Sequence, residues 1–299
     1  SRGKLVEIGG SFRIPKVMDF GGALLKEVGT TNKTHFEDYQ EGINKNTGML
    51  VKVHSSNYVI QGFTKSIEAE SLVPLAKKAR IPLYYDLGSG ALLDFSPYGF
   101  EEPTVKALIK AGVDILSFSG DKLLGGPQGG IILGKKKYIE KMKKNQLLRA
   151  LRVDKLTLAA LDATLMEYRD EKKVLLNNPT LRMLTISKEE LMEKAINLLQ
   201  AFKEEGLSDL PINIVPMDSL SGGGSLPDKR FPSYCLALKE ISEGNRVSIG
   251  TLGEGLRKNE LPIITRIKDN TLYLDLRTIK EEDFKELAKE FAKVYRSIH

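Results

Sequence analysis

The chain has 299 residues, of which 41% are apolar and 28% charged, enough for one large α/β core with a smaller domain and too well balanced for a disordered tail. Charged residues or glycine interrupt every apolar run well short of the about eighteen residues that a membrane helix needs, and no basic-then-apolar leader opens the chain, so the expectation is a cytoplasmic protein. The net charge of +6 is concentrated in KKKYIEKMKKNQLLRALR, residues 135–152, a cluster that can attract phosphate or nucleic acid, although lysines on a solvated helix face are the blander reading.

The opening SRGKLVEIGGSFR enters a strand-like pattern at Leu5, Val6 and Ile8, as though the chain begins inside a domain whose earlier part lies upstream. Strand and helix signals then alternate. An apolar run at 49–53 precedes an amphipathic stretch at 68–80 and a second apolar run at 81–85; a helical stretch at 105–111 leads to a strand at 114–118. A glycine-rich turn, a strand at 130–133 and helices at 136–144 and 155–168 follow. This rhythm predicts a mostly parallel sheet with helical crossovers, an α/β fold.

A second unit is expected from residue 187, giving domains 1–186 and 187–299. Ser187 and Glu190 have the spacing of a capping box ahead of a long amphipathic run ending at Gly206, and Thr278 with Glu281 repeats the pattern before the last helix. Strands at 212–215, 234–238, 263–267 and 271–276 between these helices predict a small α+β domain, with residues 219–232, SLSGGGSLPDKRFP, as a loop. Cys235, the single cysteine, falls in an apolar run and reads as a core residue of a protein kept in a reducing compartment.

The segment most informative about chemistry is SFSGDKLLGGPQGG, residues 117–130. A lysine just beyond a strand, followed by glycines that admit a ligand close to the backbone, presents its amine at the carboxyl edge of a parallel sheet. Lys122 is so placed, and a desolvated lysine amine captures an aldehyde such as pyridoxal phosphate (PLP) as an imine. On spacing alone a surface lysine in a turn is the stronger reading. Asp86, at the end of the preceding strand in Tyr84-Tyr85-Asp86, changes the balance, because PLP works as an electron sink only while a carboxylate keeps its pyridine nitrogen protonated. An Asp that merely caps the following Gly88–Gly90 turn remains compatible with this role. Ser119, three residues before Lys122, is a candidate for the cofactor phosphate. His54 and Asn57 follow the strand at 49–53 and are candidates for contact with the cofactor, against a satisfied buried histidine. Asp121, next to Lys122, is a candidate for tuning or orienting it.

Seven segments taken in order, EIGGSFRIP (7–15), EVGTTNKTH (27–35), KVHSSNYVIQGFTK (52–65), DLGSGALLD (86–94), SFSGDKLLGGPQGGIILGKK (117–136), RALRVDKLTLAALDATL (149–165) and GGGSLP (222–227), closely resemble the bacterial selenocysteine synthase family, L-seryl-tRNA(Sec) selenium transferases. The resemblance covers nearly the whole chain and rests on several independent motifs, each weak alone. It implies a fold-type-I PLP-dependent transferase that converts seryl-tRNA(Sec) to selenocysteinyl-tRNA(Sec) with selenophosphate as donor. It further implies that the seryl amine displaces Lys122 from PLP and that the freed lysine takes the Cα proton; loss of the hydroxyl gives an aminoacrylyl intermediate, to which selenium adds. Arg149 and Arg152 carry the family's anion-binding pattern and are the expected selenophosphate site, sharing a helix face if both are helical.

Arg277 resembles the small-domain arginine that binds a free substrate carboxylate in many fold-type-I enzymes, which an ester substrate lacks; it either contacts the ester or terminal ribose, or is structural. It keeps alive a related PLP lyase or desulfurase acting on a free amino acid or amino sugar. A third reading is an inactive tRNA-binding or oligomer-forming fragment, since full-length members carry a tRNA-binding domain and a phosphate loop upstream. The family also implies self-association as rings of dimers, with 29–35 among the contact segments. No metal is expected.

Overall fold

The computed structural model describes residues 1–8, 12–222, 224–239 and 248–298. The parts of the EIGGSFRIP and GGGSLP motifs at 9–11 and 223 lie outside the described residues. The chain divides into two compact units, Ser1–Arg182 with Ser221–Lys229, and Met183–Leu220 with Arg230–His299. The division falls at Met183, four residues before the expected Ser187, and assigns the nine residues of the glycine-rich connection to the first unit.

The first unit opens with a two-stranded antiparallel pair, β1 (Glu7–Ile8) and β2 (Phe12–Arg13), then α1 (Ile14–Phe20) and α2 (Phe36–Gly42), neither of which the periodicity announced. Its main sheet uses β3 (Leu50–Val53), β4 (Leu83–Gly88), β5 (Ile115–Ser119) and β6 (Gly130–Gly134) in that spatial order. The first three run parallel and β6 is antiparallel to β5. The crossovers are α3 (Ala69–Ala79) between β3 and β4 and α4 (Val105–Ala111) between β4 and β5. Then come α5 (Lys136–Lys143), α6 (Leu148–Leu151), α7 (Lys155–Glu167) and α8 (Glu171–Asn177), and the division between the units falls within α9 (Pro179–Thr185).

The strand expected at 81–85 begins two residues later and extends to Gly88. Arg80 closes α3 in the left-handed conformation at φ 58°, and the Ile81 N–H returns to the Ala76 carbonyl, so Ile81 terminates the helix instead of starting a strand. From Leu83 onward alternation takes over: Leu83, Tyr85 and Leu87 are buried, and they join Leu72, Val73, Leu116 and Phe118 in one core. Asp86 and Gly88 therefore share the opposite face of β4 and arrive at the carboxyl edge of the parallel strands.

The second unit contains α10 (Lys188–Glu204), β7 (Ile212–Leu220), β8 (Arg230–Lys239), α11 (Ile249–Lys258), β9 (Arg266–Lys268), β10 (Thr271–Asp275) and α12 (Phe284–Ile298). Its sheet, ordered β7-β8-β10-β9, is wholly antiparallel. Ser187 caps α10 by accepting from the Glu190 N–H, in line with the expected box. The second box does not form: Thr278 donates to the Asp275 carbonyl, and a 3-10 turn at Glu281–Asp283 leads into α12. The expected 219–232 loop is shorter, because β7 runs through Leu220 and β8 starts at Arg230, their register pairing Leu220 with Arg230. The strand expected at 263–267 is reduced to Arg266–Lys268, and Ile263 instead enters the core. On α12, Phe284, Leu287, Ala288, Phe291 and Ala292 form a stripe at helical spacing that packs with α10 and α11 residues in one cluster.

Candidate active site

The site is built where β3, β4 and β5 end. Parallel pairing sets Val53 beside Asp86 and Asp86 beside Ser117, and the His54 N–H donates to the Asp86 carbonyl at 2.8 Å. The Ser117 hydroxyl donates to Asp86 Oδ1 at 3.2 Å and lies 2.7 Å from the Tyr84 hydroxyl. Burial pushes the Asp86 carboxyl above its ordinary value; the Ser117 hydrogen bond, the Lys122 charge, the Gly88 N–H and His54 oppose the shift. A half-buried carboxylate so arranged favours a cation in front of it. Gly88 and Gly90 follow at φ 71° and 73°, and a Cβ at Gly90 would meet Phe118 Cδ2 and the Ser119 carbonyl at 2.8 Å. That turn requires glycine for both conformation and space.

Lys122 sits in the turn after β5. The Leu123 N–H donates to the Ser89 carbonyl, the Gly125 N–H to Lys122, and the Gly126 N–H to Gly120, at 2.9, 2.9 and 2.8 Å. Two side chains that cap the C-terminal ends of α7 and α8 brace the turn. Tyr168 donates to the Leu124 carbonyl at 2.8 Å, and the buried Asn178 amide lies 3.3 and 3.2 Å from the Leu124 and Gly125 carbonyls. Gly125 has φ 65°, and a Cβ there would fall 2.2 Å from Asn178 Oδ1. The lysine side chain extends over two glycines: a Cβ at Gly88 would lie 3.9 Å from its amine, and one at Gly224 would lie 3.2 Å from its Cε. Open space beside the amine thus depends on residues without side chains.

The other expected residues are placed as follows. His54 Nε2 lies 3.1 Å from Glu102 Oε1, within ion-pair distance when the ring is protonated, although that oxygen is buried without an aligned hydrogen bond. Asn57 Oδ1 would be 3.7 Å from a Cβ at Gly224, beside Lys122. The Ser119 hydroxyl donates to the Asp121 carboxylate, pairing these two with each other; Asp121 is exposed. Arg149 and Arg152 are both exposed, but they do not share a helix: α6 stops at Leu151, and Arg152 is its cap with ψ 139°. Val153 Cγ1 nevertheless lies 3.5 Å from where a Cβ of Gly129 would stand, so this segment reaches the glycine turn.

Arg277 is 8% exposed in the second unit. It donates from its two terminal nitrogens to the Met183 and Pro232 carbonyls, both at 2.7 Å, and lies over the Phe231 ring. Two of its donor nitrogens are thus taken by main-chain carbonyls. Burial lowers its pKa, with Asp275 opposing. Sequence reasoning missed Ser117, Tyr84, Glu102, Tyr168 and Asn178. Ser117 could have been found from strand register, whereas the two braces come from helix caps 46 and 56 residues beyond Lys122 and left no local signal.

Among known proteins, the family model described as SelA: L-seryl-tRNA selenium transferase matches residues 1–280. An L-seryl-tRNA(Sec) selenium transferase of Clostridium botulinum (strain Loch Maree / Type A3) is 49% identical over 297 residues, covering 99% of this chain and 63% of that protein. One from Clostridium perfringens (strain 13 / Type A) is 51% identical over 286 residues, covering 95% and 61%. The chain thus spans less than two thirds of the length of these curated relatives. Among solved structures, D-glucosaminate-6-phosphate ammonia-lyase superposes with a TM-score of 0.63 at 19% identity, covering 99% of this chain and 70% of that one, a likeness of fold.

Proposed function

The chain belongs to the L-seryl-tRNA selenium transferase family, and on that premise we propose that it is the PLP-binding catalytic part of an enzyme that converts L-seryl-tRNA(Sec) to L-selenocysteinyl-tRNA(Sec) with selenophosphate as donor. Family membership makes pyridoxal phosphate the cofactor, and the residues fit it. The Lys122 amine has glycine-lined space on two sides for an aldehyde, and the raised Asp86 carboxyl gains a favourable partner in a protonated pyridine nitrogen. When bound, the cofactor supplies an electron sink for cleavage of bonds at the seryl α-carbon.

In this reading Lys122 would hold the cofactor and, as a free amine, would move the proton at the seryl Cα. Asp86 would keep the ring nitrogen protonated; Ser117, fixed by Tyr84, orients its carboxylate. His54, backed by Glu102 and tied by its N–H to the Asp86 carbonyl, would contact the cofactor, with Asn57 near Lys122. Ser119, whose hydroxyl donates to Asp121 in this structure, would turn that one donor from the carboxylate to the cofactor phosphate. Arg149 and Arg152 remain the proposed selenophosphate ligands, held as exposed cations on the segment that reaches the glycine turn.

The observation that carries the reading is the meeting of Lys122 and Asp86 at one edge of the sheet, where the Lys122 charge opposes the upward pull of burial on the Asp86 carboxyl. A lyase or desulfurase acting on a free amino acid has less support, because the guanidinium that would receive a free carboxylate is committed to two main-chain carbonyls. Self-association is part of the proposal, supported by α7, none of whose side chains is fully buried and which exposes Leu156 and Leu158. The cytoplasm is the proposed location; among the described residues no helix is long and apolar enough to cross a membrane.

The test uses full-length protein loaded with PLP. Borohydride should fix the cofactor to Lys122, and seryl-tRNA(Sec) with selenophosphate should yield selenocysteinyl-tRNA(Sec); Lys122→Ala should lose both. Fixation on another lysine, or turnover of free serine in place of the ester, overturns the proposal.

A further inference from the structure

Eight of the chain's 45 basic side chains and one of its 39 acids fall within residues 135–152, so the remainder holds 37 basic against 38 acidic groups and is electrically balanced. All eight cations are exposed. The fold gives this stretch a direction. Because β6 runs antiparallel to β5, Gly134 pairs with Ile115, and the Lys135 amine meets Asp114 Oδ1 at 2.5 Å, at the edge of the sheet opposite Lys122. By Val153 the chain is back beside Gly129 at the catalytic edge. The basic segment therefore spans from the far edge of the sheet to the site.

On α5 and its cap, Lys137, Lys141 and Lys144 follow one another at i, i+4 and i+7, in line along the helix. Glu140, the acid beside them, is turned to Lys143 at 3.3 Å. The line covers roughly 10 Å of helix axis, about the axial rise of three nucleotides in one strand of a duplex. Solvated lysines of this kind stabilise a fold little, but together they form a surface for a polyanion through release of counterions.

We propose that the Lys137, Lys141 and Lys144 face of α5 is a docking surface for the phosphodiester backbone of the tRNA acceptor arm, which lies along it with its aminoacylated end toward Lys122. The proposal rests on the transferase reading and assigns a surface to its nucleic-acid substrate. These lysines contact phosphates and leave identity to be read elsewhere.

The test compares full-length wild type with the triple variant Lys137→Gln, Lys141→Gln, Lys144→Gln in filter binding of seryl-tRNA(Sec) over a salt series. The variant should bind at least about tenfold more weakly near 0.1 M salt, and its plot of log affinity against log salt should be shallower by about two, at 0.7 to 0.9 per lost phosphate contact. Arginine at the same three positions should restore both. Borohydride fixation of PLP at Lys122 in the variant serves as the folding control. An unchanged slope in a variant that passes this control overturns the docking surface while leaving the transferase reading intact. If wild type itself neither binds nor converts the charged tRNA, the functional reading fails first.

Discussion

Asp86 illustrates what a single residue contributes here. Its carboxyl is raised because burial disfavours the charge more than Ser117, Lys122, the Gly88 N–H and His54 restore it. A carboxyl raised in the folded state favours folding in its protonated form, so its contribution is greatest below the unfolded value near 4 and is lost as pH rises through the folded value. Asp86→Asn should therefore raise the thermal midpoint of the cofactor-free protein at neutral pH, and the gain should shrink to nothing below about pH 4. The same variant should bind PLP more weakly, because the amide cannot hold the ring proton. Thermal melts at pH 4 and 7, paired with PLP titrations, check it; a variant that melts lower than wild type at pH 7 would contradict the electrostatic account.

Among the elements, the turn that carries Lys122 depends on its braces. Asn178 donates to the Leu124 and Gly125 carbonyls and accepts from the Thr180 and Leu181 N–H groups at 3.1 and 3.3 Å, all with its side chain buried. Truncation leaves buried main-chain groups unpaired, at a cost of about 1–3 kcal/mol. Asn178→Ala should lose that much stability in denaturant titration and should also slow borohydride fixation of PLP at Lys122, since the turn is freed. A purely structural brace would lower stability and leave the fixation rate of the folded fraction unchanged.

For the whole molecule, α7 presents a surface that one copy of the chain does not cover. Leu158 and Leu165, seven residues apart on one face, are 55% and 43% exposed. Leu158→Glu with Leu165→Glu in the full-length protein should shift sedimentation velocity toward smaller species, with the secondary structure retained by circular dichroism. An unchanged oligomer would remove α7 from the interface.

The sequence by itself determined the α/β rhythm, the positions of Lys122 and Asp86, and the Ser187 cap, because each is written in local periodicity or in the chemistry of neighbouring residues. Legibility failed where a distant partner decides the outcome. Ile81 was drawn into the end of α3, Thr278 found a carbonyl in place of a capping role, and the connection at 219–232 was shortened by pairing between β7 and β8. At the site, only tertiary structure could show that Asp86 is held by Ser117, that Ser119 is tied to Asp121, and that Asn178 supports the lysine turn. It also separated Arg152 from the α6 helix and committed Arg277 to carbonyls. The physical reason is the same throughout: a residue's type fixes which hydrogen bonds and charges it can offer, whereas the partner that takes them is set by strand register and helix packing across tens of residues.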